Sequence, residues 1–155
     1  MLLKYCRLLL HKNKKGNIKM RWDLENICSN NQAVTTTAAS TNVIQLTNNG
    51  QIKDVAASEI PFRIQVTEDF AGATSVDFWI ETASDAAFTT PVALYKSGAI
   101  AVASLKAGYT AGVRYIPAGT LGYLRTKYTV VGTATAGKVT AGVVDANERS
   151  FHEIN

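Results

Sequence analysis

The chain has 155 residues, with 16 Lys+Arg against 12 Asp+Glu, 46% hydrophobic and 18% charged residues. A chain of this length fits one domain that buries about two thirds of its unfolded surface, so it needs neither a disulfide framework nor a metal to fold. No run approaches the roughly 20 apolar residues of a membrane-spanning helix, and the composition is too apolar for a disordered chain.

The net charge of +4 suggests nucleic acid or an anionic surface until it is located. Residues 1–21 hold Lys4, Arg7, Lys12, Lys14, Lys15, Lys19 and Arg21 and no carboxylate, a charge of +7. The other 134 residues carry 9 cations and 12 anions, 9 − 12 = −3. Leu2, Leu3, Cys6, Leu9 and Leu10 recur at helical spacing, which would suit a membrane-surface anchor. Lys4 and Arg7 interrupt that stretch, and no small-residue cleavage site follows, which argues against a signal peptide. The preferred expectation is that this basic leader lies outside the working protein, with translation starting at Met20, or forms a poorly ordered tail. Cys6 and Cys28 are the two cysteines, without CxxC spacing, and make no framework.

Residues 22–155 read as a single all-β domain. From about Val34 onward, Thr, Val, Ala and Gly predominate, and short apolar stretches alternate with turn signals. The predicted strands run over residues 43–47, 51–55, 60–67, 76–81, 92–96, 99–104, 112–117, 121–131 and 136–144. Asn49-Gly50 is a type I′ hairpin signal between the first two. Ile60, Phe62, Ile64 and Val66 alternate with polar residues, as do Val76, Phe78 and Ile80, so these side chains are expected on the core face. Residues 84–88 predict one helical turn capped by Ser84, with Asp85 suiting the dipole and Pro91 as a stop. Nine strands suffice for two packed sheets.

Residues for catalysis are scarce. Both histidines lie in the end segments, His11 and His152, which leaves no basis for a His-based triad or metal site. Asp77 and Glu81 share a strand face with Cα atoms about 13 Å apart, too far for a glycosidase pair, and read as a solvated acidic face. Gly137-Lys138 lacks the preceding glycine of a phosphate loop. Glu68-Asp69 is more simply a solvated loop than a calcium site. The chain is therefore expected not to be an enzyme and to hold no cofactor or metal.

Trp79 falls on the polar side of its strand, between Asp77 and Glu81 in register. It would be packed under a loop or the N-terminal arm, anchored in a protein interface, or used as a stacking platform for a sugar. Base stacking suits it least, because acidic neighbours would face phosphates. Arg63, Arg114, Arg125 and Lys127 occupy outward positions and could meet acidic partners. The candidate interface is thus Trp79, Asp77, Glu81, Arg125 and Lys127.

Two long segments, QAVTTTAASTNVIQL at 32–46 and YLRTKYTVVGTATAGKVTAGVV at 123–144, resemble the two ends of the tailed-phage capsid cement (decoration) proteins of the Bordetella phage type. TASDAAF at 82–88, followed by Pro91, is similar to the middle of that family, and the resemblance spans about residues 22–146. It implies a jelly-roll β-sandwich that dimerises on the outer surface of the phage head and fastens major capsid protein subunits together. The partners expected are the major capsid protein and a second copy, not nucleic acid or a membrane. The leader departs from the family pattern, which supports Met20 as the working start. A carbohydrate-binding β-sandwich module is the alternative, separated from the first reading by glycan affinity that depends on Trp79.

Overall fold

The computed structural model of the protein describes residues 22–46 and 60–145. The leader, the Asn49-Gly50 turn, the strand expected at 51–55 and both histidines lie outside the described residues.

The fold is an antiparallel β-sandwich. One sheet has the order β1 (Trp22–Ala33), β9 (Ala136–Val144), β4 (Phe62–Ala71). The other runs β2 (Ala38–Ala39), β8 (Tyr123–Val131), β5 (Ser75–Ala83), β6 (Val92–Lys96), with β3 (Ile44–Gln45) also on β8 and β7 (Ile100–Ala101) also on β5. Successive strands change sheet from β1 to β2, β3 to β4, β4 to β5 and β8 to β9, a jelly-roll-like path.

The expected alternation places the core as period two requires. Phe62, Ile64 and Val66 on β4 face Val76, Phe78 and Ile80 on β5, and all six are buried. Each fully buried side chain of this size contributes about 1.5–3 kcal/mol of transfer free energy. Tyr128 of β8 is fully buried edge-on to Phe78, with ring centroids 5.9 Å apart. Its hydroxyl lies 2.7 Å from Ser29 Oγ and 2.8 Å from Thr126 Oγ1, so the buried phenol is partnered. Burial pushes its pKa up, while the two hydroxyl contacts pull the other way.

Several boundaries differ from the sequence expectation. The longest strand, β1, precedes the region read as β. Its pairing with β9 slips between Trp22 and Ile27, between Ile27 and Ser29 and between Ser29 and Gln32. These irregularities break the alternation and put Ile27, Cys28 and Ser29 inside consecutively. Residues 112–117 form no strand. Instead, the stretch from Leu105 to Arg114 lines the outer edge of β4, where Phe70 donates to Leu105, Val66 to Tyr109 and Phe62 to Arg114, and Ala111 donates to Ile64. Gly108 and Gly112 break the ladder, yet the edge is satisfied. Residues 99–104 split into β7 and a 3₁₀ turn over Val102–Ser104. Residues 84–88 form a turn, not a helix: Phe88 donates to the Asp85 carbonyl, and the Asp85 carboxylate accepts from the Thr89 N–H. Asp85, not Ser84, holds that turn, and Phe88 leaves it at φ 54°.

Cys28 is fully buried, and desolvation pushes its thiol up to about 12 despite hydrogen bonding from Thr126 and Ser40. Thiolate is the reactive form. Cys28 is therefore expected to stay unmodified by iodoacetamide at pH 8 in the folded protein and to be labelled in urea, as read by peptide mass mapping. Labelling at equal rates in both conditions would contradict its place in the core.

Candidate functional site

Asp77, Trp79 and Glu81 project from β5 onto the outer face of the larger sheet, and the antiparallel register completes their surroundings. On one side β8 sets Thr129 opposite Asp77, Lys127 opposite Trp79 and Arg125 opposite Glu81. On the other, β6 sets Lys96 opposite Trp79 and, after a register shift, Ala93 opposite Glu81. All five residues read from the sequence as candidate interface thus share one face, and Lys96 joins them.

Glu81 corrects the expectation of a solvated acidic face, being only 3% exposed. Its Oε2 accepts from Arg125 Nε at 3.0 Å and Nη2 at 2.9 Å, and Lys127 Nζ lies 3.5 Å from Oε1. The Arg125 guanidinium also lies 4.1 Å from the Phe88 ring centroid, a cation–π contact that ties the 84–91 loop to this cluster. Burying a carboxylate is costly unless it is charge-paired and hydrogen-bonded, and two cations supply that here. Arg125 and Lys127 are therefore not scattered surface cations.

Trp79 is part-buried, and among the described residues two lysines stand over its ring. Lys96 Nζ is 3.9 Å and Lys127 Nζ 4.9 Å from the ring centroid. The acidic surroundings expected for the indole are replaced by cationic ones, because cross-strand neighbours are closer than residues two apart on one strand. The indole N–H is buried and meets no acceptor among the described residues. Ser97 Oγ accepts from the Phe78 N–H and lies 3.1 Å from Asp77 Oδ1 and 2.8 Å from the Gly98 carbonyl, which compete for its single proton.

The remaining charged candidates lie elsewhere and are engaged. Glu68 pairs with Lys138 at 2.6 Å across β4 and β9, so the Gly-Lys pair sits in a strand. Asp69 takes the Ala107 N–H and faces Lys106 at 3.3 Å; these, the backbone donor foremost, hold its carboxyl below the ordinary range. Arg63 donates to Thr110. Among the described residues no group of three or more His, Cys, Asp and Glu side chains could hold a metal ion, and no helix is long and apolar enough to cross a membrane.

Sequence reasoning missed Lys96 and Phe88. Lys96 ends a strand that was read correctly, but its place beside Trp79 depends on the β5–β6 register, which the long connection and the bulge leave unspecified.

A search of curated proteins returns no match. A family model, Bbp16, matches residues 28–143, from the buried centre of β1 almost to the end of β9. That span holds every residue of the Trp79 face and nearly all of the sandwich, and the chain belongs to the Bbp16 family, whose name points to a Bordetella phage protein.

Proposed function

We propose that this chain is a structural virion protein that binds the outside of a phage head and fastens major capsid protein subunits together, acting as a homodimer and without catalysis. The observation that carries the reading is membership of the Bbp16 family over residues 28–143, joined to the cement-protein resemblance of residues 32–46 and 123–144. The physical properties suit the role. A sandwich with a continuous core is a rigid plate, and Trp and Arg on an outer face are the residue types that most often anchor protein interfaces. Many modest contacts repeated on a symmetric lattice add up through avidity, so a flat face without an active-site cleft is sufficient to hold a shell against internal pressure. Paired copies would also protect exposed sheet edges from aggregation.

The carbohydrate-binding reading needs an open aromatic face on which a sugar ring can lie. Lys96 and Lys127 stand over the only tryptophan of this face, which disfavours it.

The test mixes the full-length protein with expanded, undecorated heads of its own phage and counts bound copies by sedimentation. Saturable binding at a fixed number of copies per head is expected. A folded protein that stays in the supernatant with the correct heads overturns the proposal, and binding to a glycan array that Trp79→Ala abolishes would replace it with the alternative.

A further inference from the structure

The open side of the Trp79 face lies along β6. This strand ends its sheet, so its outer edge has no strand beside it among the described residues. Val92 at its start is 48% exposed, and Lys96 at its end is exposed too. An edge strand with exposed main-chain groups is a template for an added strand.

The charges on this face specify what such a strand should carry. Lys96, Arg125 and Lys127 stand against two carboxylates, Asp77 and Glu81. Glu81 is committed to Arg125 and Lys127, and Asp77 lies beside the Ser97 hydroxyl, not within ion-pair distance of Lys96. Lys96 has only the indole ring, with no carboxylate within ion-pair distance among the described residues. The same indole carries at its edge an N–H that is buried and has no acceptor among the described residues. A buried donor without an acceptor is unfavourable, and a carboxylate that pairs with Lys96 and reaches the edge of the indole, where the N–H points in the ring plane, would satisfy both groups. A basic segment would repel Lys96, and a neutral one would bring an acceptor for the N–H but no counter-charge for the lysine.

We propose that the outer edge of β6, together with Lys96 and Trp79, receives an extended acidic segment of a protein partner. The main chain of the segment adds to β6, and a carboxylate side chain engages Lys96 and the Trp79 N–H. Identifying the partner as the capsid rests on the head-binding reading above; the chemistry of the site does not.

The experiment uses the full-length protein with Trp22→Phe as the parent, so that Trp79 alone emits. The parent is compared with Lys96→Glu, Lys96→Arg and, as a control on the Asp69 pair, Lys106→Glu. Two readouts are taken: sedimentation with expanded heads, and Trp79 emission on titration with a nine-residue peptide alternating Glu and Val or its Lys-Val counterpart. Reversing the charge at Lys96 should weaken head binding by about tenfold or more, while Lys96→Arg and Lys106→Glu stay within about twofold. The Glu-Val peptide should change the emission of the parent and of the Lys96→Arg variant but not of Lys96→Glu, and the Lys-Val peptide should change none of them. A flat Glu-Val titration of the parent, or one that Lys96→Glu leaves unchanged, overturns the proposal, and heads that bind the parent and Lys96→Glu equally overturn the capsid as the partner at this site. If the parent ignores heads but binds the Glu-Val peptide, the capsid reading fails and the acidic-segment site stands.

Discussion

Gly137→Ala should be among the most destabilising single substitutions in this protein, lowering stability by about 3–5 kcal/mol. A Cβ at this position would lie 2.3 Å from Phe70 Cδ1 and 2.6 Å from both Cε1 and Cγ. The ring cannot step aside, because Phe70 is 2% exposed and its backbone N–H is tied to Leu105. The pairing of β4 with β9 slips between Glu68 and Ala71, which leaves the ring lying on the glycine itself. Gly137 also sits at φ 140°, a conformation that L side chains rarely adopt, and its carbonyl accepts from the Val34 N–H. Overpacking a core costs about 1–3 kcal/mol and a disfavoured backbone conformation about 1–3 more, against a total stability of about 5–15 kcal/mol for a domain of this kind. Urea unfolding should show a midpoint about 1–3 M lower with an unchanged slope. Adding Phe70→Leu should recover only part of the loss, since it relieves the clash and leaves the backbone strain. A midpoint unmoved by Gly137→Ala would mean that Phe70 does not rest there.

The second large effect is expected at Glu81. Removing the carboxylate by Glu81→Ala leaves Arg125 and Lys127 facing each other over a site built for an anion. Breaking a buried pair costs about 3–5 kcal/mol when both partners are sealed from water. Here the cationic side chains are 21% and 33% exposed and partly resolvate, so about 2 kcal/mol is the expected loss. A double-mutant cycle should assign most of the coupling to Arg125, which makes two contacts of 3.0 Å or less, and less to Lys127 at 3.5 Å. Arg125→Ala should additionally loosen the 84–91 loop, because Phe88 loses the guanidinium over its ring. By contrast, Glu68→Ala should cost about 0–1 kcal/mol, because that pair is 36% and 44% exposed on its two sides. Similar losses at Glu68 and Glu81 in urea unfolding would show that burial does not distinguish the two pairs.

Residue pattern alone determined the fold class and much of the core. Phe62, Ile64 and Val66, and likewise Val76, Phe78 and Ile80, alternate with polar neighbours, and an extended chain sends such sets to one face whatever it pairs with. The same local signal located β6 and β9 at the ends observed, since apolar, β-branched and small residues bounded by turns need no distant partner to be read. Where bulges interrupt the period, as at Ile27, Cys28 and Ser29, the signal disappears and β1 becomes illegible. Residues 112–117 read as a strand from their apolar pattern, but the edge of β4 is met instead by an irregular stretch from Leu105 to Arg114 that makes such hydrogen bonds without a regular ladder. The Trp79 face shows the limit most plainly. Its five candidate residues could be named from outward positions on β5 and β8, but their charge environment could not, because strand register decides it. Register made Lys127 and Lys96, not Asp77 and Glu81, the nearest charges to the indole, and the folding of Phe88 against Arg125 helped turn a surface glutamate into a buried one. A shift of two residues in either pairing would leave the same side chains of β5 on the core face and yet change what the outer face can bind, so only the tertiary structure could decide it.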